Sequence, residues 1–109
     1  MRRVLGTAYA RGDGLHEVSI RYGDGYVFTG ISEGEAAAWS SVKELIGFFR
    51  SANAHQIHKA AATLASDAKI ARERGNPHAQ RLATNALYMR EFAEDLTIAV
   101  CREHVGDAS

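Results

Sequence analysis

The sequence predicts an α+β fold: a three-stranded antiparallel β-meander followed by three helices, the last two forming an antiparallel helical hairpin. Three observations carry this prediction. The first 31 residues are rich in glycine and alternate apolar with polar side chains, which is typical of half-buried strands. After Ser32 the apolar residues recur every three to four positions, as they do in amphipathic helices. Gly75-Asn76-Pro77 then separates two helical runs, because glycine commonly ends a helix and proline commonly begins one.

Three strands are predicted at residues 4–9, 16–22 and 26–31. The middle strand alternates apolar or aromatic residues with Glu17, Ser19 and Arg21, so one of its faces is buried. The third strand is rich in aromatic and β-branched residues, which favour strands. The segments between the strands are short and contain glycine, so the strands are expected to pair antiparallel in sequence order.

The first helix is predicted to begin at Ser32, because Ser32 and Glu35 have the spacing of a capping box, and to run to Arg50. Asn53 and Gln56 repeat that spacing and predict the start of a second helix. One face of the first helix carries the following apolar residues, with Trp39 and Ile46 beside them: Ala38, Val42, Leu45 and Phe49.

The last two helices each carry apolar residues at alternating spacings of four and three, the pattern of helices that pack along a seam. In the second helix these are Ile57, Ala61, Leu64, Ala68 and Ala71. In the third they are Leu82, Ala86, Met89, Ala93, Leu96 and Val100. Because only a short break separates the two runs, they are expected to pack antiparallel. We predict a single domain, residues 1–109, with the sheet and first helix in residues 1–50 and the hairpin in residues 53–105.

The composition argues against several classes of protein. Lysine and arginine number 13, as do aspartate and glutamate, so the net charge is zero. Nucleic-acid binders usually carry a basic excess, so zero charge disfavours that class without removing it. The single cysteine forms no internal disulfide, and no apolar stretch approaches the roughly 20 residues of a membrane span. We expect a cytoplasmic protein without membrane contact.

Two pairs of potential metal ligands lie near helix ends, at His55 with His58 and at Cys101 with His104. A spacing of three places each pair on one helix face, and an antiparallel hairpin brings both ends toward the same pole. A zinc site is therefore conceivable. We favour surface histidines and a half-buried structural cysteine, because cysteine often behaves as a small hydrophobic residue.

Basic residues surround the predicted hairpin tip, chiefly Arg72, Arg74 and Arg81. Guanidinium groups suit phosphate recognition, so these residues are candidates for a nucleotide-like ligand. A solvated helix end, where cations complement the helix dipole, is the interpretation that we favour.

Aromatic residues concentrate in the sheet half of the chain. They are Tyr9, Tyr22, Tyr26, Phe28 and Trp39. Exposed on one surface, they would form a stacking platform for bases. We favour a small core between the sheet and the first helix, since aromatic residues in strands usually bury their rings.

No local motif for catalysis is present. The sequence has no nucleophile–histidine–acid arrangement and no phosphate-binding glycine loop, since neither Gly12-Asp13-Gly14 nor Gly23-Asp24-Gly25 fits those patterns. We therefore predict a protein that is not an enzyme and that uses no cofactor.

The stretch from Leu15 to Phe49 resembles the KTSC family, a short domain found at the C-terminus of lysyl-tRNA synthetases and in small phage proteins. The matching residues are Val18, Ile20, Gly25, Val27, Phe28, Gly30, Ile31, Gly47, Phe48 and Phe49. The sequence departs from the family in the spacing between the glycine and the aromatic pair, and at Arg50, where an asparagine often follows. The resemblance implies a small, non-catalytic module of phage or mobile-element character.

The functional prediction is a protein–protein interaction module, in its most concrete form a phage-encoded inhibitor of a host protein or defence system that acts in the host cytoplasm. Its contacts are expected on the outer face of the hairpin, at Leu87, Tyr88, Phe92 and Ile98. Through this face the hairpin is expected to bind a host protein or to form a homodimer or higher oligomer. The alternatives are a protein that sequesters a nucleotide-like ligand and a module that binds RNA or DNA.

Overall fold

The computed structural model describes the backbone of residues 2–108 and the side chains of residues 2–98. The chain divides into two compact units, Met1–Ala52 and Asn53–Ser109. In order, the elements are β1 (Val4–Ala10), β2 (Leu15–Tyr22), β3 (Gly25–Glu33), α1 (Glu35–Ser51), α2 (Ala54–Glu73) and α3 (Ala79–Ala108). The predicted α+β class, the antiparallel meander and the final helix pair are confirmed. The single-domain assignment stays a prediction.

The sheet has the order β1-β2-β3, with both neighbouring pairs antiparallel. The β2–β3 register contains one irregularity: Ile20 pairs with Phe28, whereas Arg21 pairs with Tyr26. Val27 is thus an extra residue in β3, as in a β-bulge, and its side chain is buried. Because of this extra residue, Val27 and Phe28 lie on the same side of the sheet as α1, and Tyr26 lies on the other side.

Helix α1 packs against one face of the sheet and mainly against β1 and β2. The buried residues of this unit include Val4, Val18, Ile20, Val27, Ala38, Val42 and Phe49. The helix approaches β1 most closely at Gly6, where an added Cβ atom would stand 2.6 Å from Cγ1 of Val42 and 2.8 Å from Cδ1 of Ile46. A glycine at this position is therefore what allows α1 to lie so near the strand.

Two arginines connect the start of β1 to the C-terminal end of α1. Nη1 of Arg2 donates to the carbonyl of Phe49 at 3.1 Å and also to the carbonyl of Ala52. In return, Nη2 of Arg50 donates to the carbonyl of Val4 at 3.1 Å. The last carbonyls of a helix lack hydrogen-bond donors within the helix and carry partial negative charge. A guanidinium group supplies these donors and also a complementary positive charge.

The predicted helix start at Ser32 is wrong. Strand β3 continues to Glu33, because Ser32 pairs with His16 and Glu33 with Leu15 across the ladder. The chain then turns at Gly34, which has a φ of 82° and caps α1 without any side-chain hydrogen bond. A left-handed backbone suits glycine, and strand pairing has here outweighed the local capping signal.

The second unit begins with the cap that the sequence predicts. The Asn53 side chain accepts from the Gln56 backbone N–H at 2.8 Å, and the Gln56 side chain accepts from the Asn53 N–H at 2.9 Å. These two bonds form a complete capping box at the start of α2.

The loop between the two hairpin helices forms around Gly75, whose φ is 69°. The Gly75 N–H bonds to the Arg72 carbonyl and the Asn76 N–H to the Ala71 carbonyl, which together make a Schellman motif. Asn76 Oδ1 then accepts from the His78 N–H at 2.9 Å, as an N-cap does. Helix α3 itself begins at Ala79, two residues later than the predicted start at Pro77.

The hairpin core follows the predicted seam. On α2 the buried residues are Ile57, Ala61, Ala68 and Ala71. On α3 they include Asn85, Ala86, Met89, Phe92, Ala93 and Leu96. Leu64 and Leu82 are half-buried, and the side chain of Val100 lies outside the described residues. Because alanine supplies much of this seam, the two backbones are able to approach closely.

Candidate interaction surface

The sheet has a second face, on the side away from α1. Strand residues alternate between the two faces, so the neighbours of each buried strand residue point away from the helix. We call this surface the open face. It consists of Leu5, Thr7 and Tyr9 on β1, Glu17, Ser19 and Arg21 on β2, and Tyr26, Thr29 and Ile31 on β3.

The strand register arranges the open face in three rows that cross the sheet. The first row is Leu5–Arg21–Tyr26, the central row is Thr7–Ser19–Thr29, and the third row is Tyr9–Glu17–Ile31. Successive rows are two residues apart along β1 and β2, or about 7 Å, whereas on β3 the extra residue of the bulge makes Tyr26 and Thr29 three residues apart. Bulky side chains thus occupy the two outer rows, and small hydroxyl residues occupy the central row.

Three large side chains of the open face are exposed to solvent. Leu5 is 55% exposed, Tyr9 52% and Tyr26 44%. Single exposed apolar residues are ordinary, but several on one flat surface are typical of a binding site.

Two contacts between neighbouring strands hold side chains of the open face in place. The Tyr9 hydroxyl donates to the Glu17 carboxylate directly opposite it. The Arg21 guanidinium carbon lies 5.2 Å from the centroid of the Tyr26 ring, which is a cation–π contact. The hydrogen bond to Glu17 raises the pKa of Tyr9 above its ordinary value of 10.0, because the carboxylate favours the protonated hydroxyl. Both exposed tyrosines are therefore partly ordered before any partner binds.

The favoured prediction that the aromatic residues form a core is wrong for Tyr9, Tyr26 and Trp39, which are exposed. Phe28 and Tyr22 are half-buried. The physical reason is that α1 covers one face of the sheet, while alternation and the Val27 bulge place the two tyrosines on the other.

Sequence reasoning also missed Leu5, Glu17 and Arg21 as residues of a surface. Counting pairs outward from the two short turns would have placed these residues in rows with the two tyrosines, because hairpin turns set strand register.

The predicted contacts on the hairpin are only partly exposed. Leu87 is 47% exposed and Ile98 50%, whereas Tyr88 is half-buried. Phe92 is 2% exposed, so its placement on the outer face is wrong. Asn85 and Phe92 are seven residues apart and lie beside Ala86 and Ala93, so the buried stripe of α3 is three residues wide per heptad.

The three candidate phosphate ligands surround the hairpin loop without forming a site. Arg72 and Arg74 are exposed and Arg81 is half-buried. Within the described part of the chain, no hydrogen bond or ion pair orients any of their guanidinium groups. This arrangement favours a solvated helix end, and phosphate binding by these residues stays a prediction.

The structure describes the side chains of two of the four candidate metal ligands. His55 and His58 are exposed in the first turns of α2, while the side chains of Cys101 and His104 lie outside the described residues. Among residues 2–98, no three histidine, cysteine, aspartate or glutamate side chains are grouped to hold a metal ion. None of the helices, over their described residues, combines the length and the apolarity that crossing a membrane requires.

A small groove of about 290 Å³ lies between α1 and β3. Its lining residues are Val18, Phe28, Gly30, Ile31, Ser32, Ser41, Glu44 and Leu45. Glu44 is the single titratable residue among them, so the lining offers no acid–base pair. His16 lies opposite Ser32 in the ladder, and its buried Nδ1 has no hydrogen-bond partner among the described residues.

No family model matches the chain, and neither the curated proteins nor the solved structures include a significant match to it. The resemblance to the KTSC family therefore stays a prediction.

Proposed function

We propose that the chain is a non-enzymatic protein–protein interaction module and that its contact surface is the open face of the sheet. The observation that carries this proposal is the joint exposure of Leu5, Tyr9 and Tyr26 on one surface. The polar side chains of β2 lie between these exposed residues of β1 and β3, so the surface offers both apolar and polar contacts, as specific interfaces do. Tyrosine and arginine are also the residue types that contribute most to binding energy when a partner covers them.

The charges of the open face favour a protein over a nucleic acid. Arg21 and Glu17 lie on the same strand, one in each outer row of the open face, so positive and negative groups are mixed. A phosphate backbone needs a basic surface, and a carboxylate at the centre of that surface repels it. The Arg21–Tyr26 contact is the observation that favours nucleic acid, because bases stack on exposed aromatic rings.

The hairpin is the second candidate surface. Leu87 and Ile98 are exposed on α3, but the burial of Phe92 removes one of the two aromatic contacts predicted between them. We therefore place the main contact on the sheet. An inhibitor of a host protein is the narrower form of this proposal, and its support is the resemblance to the KTSC family.

Two matched double variants test which surface binds. Tyr9→Ser/Tyr26→Ser removes the exposed rings of the sheet, and Leu87→Ser/Ile98→Ser removes exposed apolar groups of the hairpin. Each tagged chain is used to capture cross-linked proteins from a bacterial lysate that also contains the untagged wild-type chain, with quantification by mass spectrometry. We expect specific partners to be lost with the sheet variant and retained with the hairpin variant. The reverse pattern would assign binding to the hairpin and refute our placement.

Binding of nucleic acid is tested with the same sheet variant, Tyr9→Ser/Tyr26→Ser. A gel shift with a fluorescent 20-nucleotide poly(dT) strand at low salt is expected to show no complex with the wild-type chain. If the wild-type chain forms a complex and Tyr9→Ser/Tyr26→Ser abolishes it, the partner of the open face is single-stranded nucleic acid and not a protein.

A further inference from the structure

The open face has a charge pattern that is complementary to itself. On β2, Glu17 and Arg21 lie two residues to either side of Ser19. Ser19 belongs to the central row, so one charge lies in each outer row. If two copies stack with β2 over β2 and with their outer rows exchanged, each charge therefore lies over an opposite charge.

We propose that the partner of the open face is a second copy of this chain, packed face to face. This inference rests on the proposed function, because it uses the same contact surface. The two copies are related by a two-fold axis that lies in the interface and runs along the central row. Such an interface is isologous, so every contact occurs twice.

This axis keeps each strand over its own counterpart and exchanges the two outer rows. Glu17 of one copy then lies over Arg21 of the other, which gives two equivalent ion pairs at the centre. Leu5 lies over Tyr9 on one side, and Tyr26 lies over Ile31 on the other, so each ring packs on an aliphatic side chain. The hydroxyl residues of the central row meet one another, and their small size allows the roughly 10 Å separation of packed sheets.

The other in-plane axis, which runs along β2, gives a poor interface. It leaves the outer rows in place and sets Arg21 over Arg21 and Glu17 over Glu17. Like charges directly opposite each other disfavour pairing. The charge pattern thus selects one of the two face-to-face arrangements.

The monomer already holds these groups in suitable positions. Glu17 accepts from Tyr9 through Oε2, so its other carboxylate oxygen can accept from the arginine of a partner. Arg21 lies against the Tyr26 ring and retains its guanidinium donors for a carboxylate. Less side-chain freedom is then lost when the two copies meet.

The size of the sheet limits the area that the dimer can bury. Three strands of about seven residues cover an area of about 14 Å by 24 Å. This is smaller than a standard protein interface, so we expect a weak, reversible dimer that forms at high chain concentration.

Charge reversal tests this dimer. Sedimentation equilibrium of the full chain from 10 μM to 1 mM is expected to show a monomer–dimer equilibrium for the wild type. Glu17→Arg alone and Arg21→Glu alone each place like charges opposite one another, so each is expected to weaken the dimer at least tenfold. An equimolar mixture of the two single variants restores complementary charges and is expected to form a heterodimer. Lys43→Glu, an exposed charge change on α1, is the control and should leave the equilibrium unchanged.

A wild-type chain that stays monomeric at 1 mM would overturn the inference. So would a dimer that neither charge reversal weakens, or a mixture of the variants that fails to associate. If the chain is monomeric but still loses its captured partners through Tyr9→Ser/Tyr26→Ser, the inference fails and the proposed function stands. If those two substitutions change neither self-association nor capture, both fail.

Discussion

Tyr9 donates a hydrogen bond to Glu17 from the directly opposite position of the β1–β2 ladder. This bond raises the pKa of Tyr9 above its ordinary value of 10.0, so it favours the folded state while the hydroxyl is protonated. Its contribution is complete below the unfolded pKa and is lost as the pH rises through the higher pKa of the folded chain. We expect Glu17→Gln to lower the Tyr9 pKa toward 10.0. NMR titration of the tyrosine ring, at a protein concentration of about 50 μM, measures this pKa.

Glu33→Gln is the control for this titration, because Glu33 lies on β3 and pairs with Leu15 rather than with Tyr9. It should leave the Tyr9 pKa as it is in the wild type. Equal pKa values of Tyr9 in Glu17→Gln and in the wild type would contradict the hydrogen bond.

Gly6 is expected to tolerate no side chain. In Gly6→Ala the new Cβ would stand 2.6 Å from Val42, so α1 must move away from β1. We expect the free energy of unfolding to fall by about 1–3 kcal/mol, measured by urea denaturation. Gly47→Ala is the matched control, because its Cβ would meet no atom within 4 Å in the interior of α1. That change should stabilise the chain by about 0.5–1 kcal/mol. Two alanine variants of equal stability would show that α1 does not approach Gly6 closely.

The capping box of α2 gives a third prediction. Asn53→Ala removes the oxygen that accepts from the Gln56 N–H, and we expect a loss of about 1 kcal/mol in thermal unfolding followed by circular dichroism. Asn53→Ser keeps an acceptor at the same position and should retain most of that stability. If serine and alanine were equally destabilising, the side-chain cap would not be what stabilises this helix end.

Phe92 and Leu87 are expected to differ in their effects on stability. Phe92 is buried, so Phe92→Ala should lower the free energy of unfolding by about 3–5 kcal/mol. Leu87 is exposed, so Leu87→Ala should change it by no more than about 0.5 kcal/mol. A chemical denaturation series that compares the two variants measures this difference. If both variants changed the free energy of unfolding by similar amounts, Phe92 would lie on the outer face of the hairpin, as the sequence predicted.

Local signals predicted much of the fold correctly. Period-two alternation located the three strands to within two residues at each end, because a strand with one buried face must alternate. Asn53 and Gly75 marked helix ends correctly, since capping depends on a few neighbouring backbone groups. At Ser32 the same kind of reasoning failed. There the capping signal competed with ladder bonds to His16, which is distant in sequence.

The candidate surface was harder to predict. Without the Val27 bulge Tyr26 and Phe28 would share one face of the sheet, and a bulge leaves no clear mark in a short aromatic strand. Phe92 is buried beside Ala93, although it lies next to the predicted seam rather than on it. Both outcomes depend on neighbours across the fold.

The sequence by itself determined the type of each element, the order of the elements and most of their ends. Alternation, helical spacing and capping are local patterns of a few residues, so they can be recognised in the sequence before the fold is known. Only the tertiary structure decided which side chains remain exposed: it set α1 against one face through Gly6 and left Leu5, Tyr9 and Tyr26 uncovered on the other. The reason is that burial is a property of pairs of elements, and no local pattern specifies which face a helix will cover.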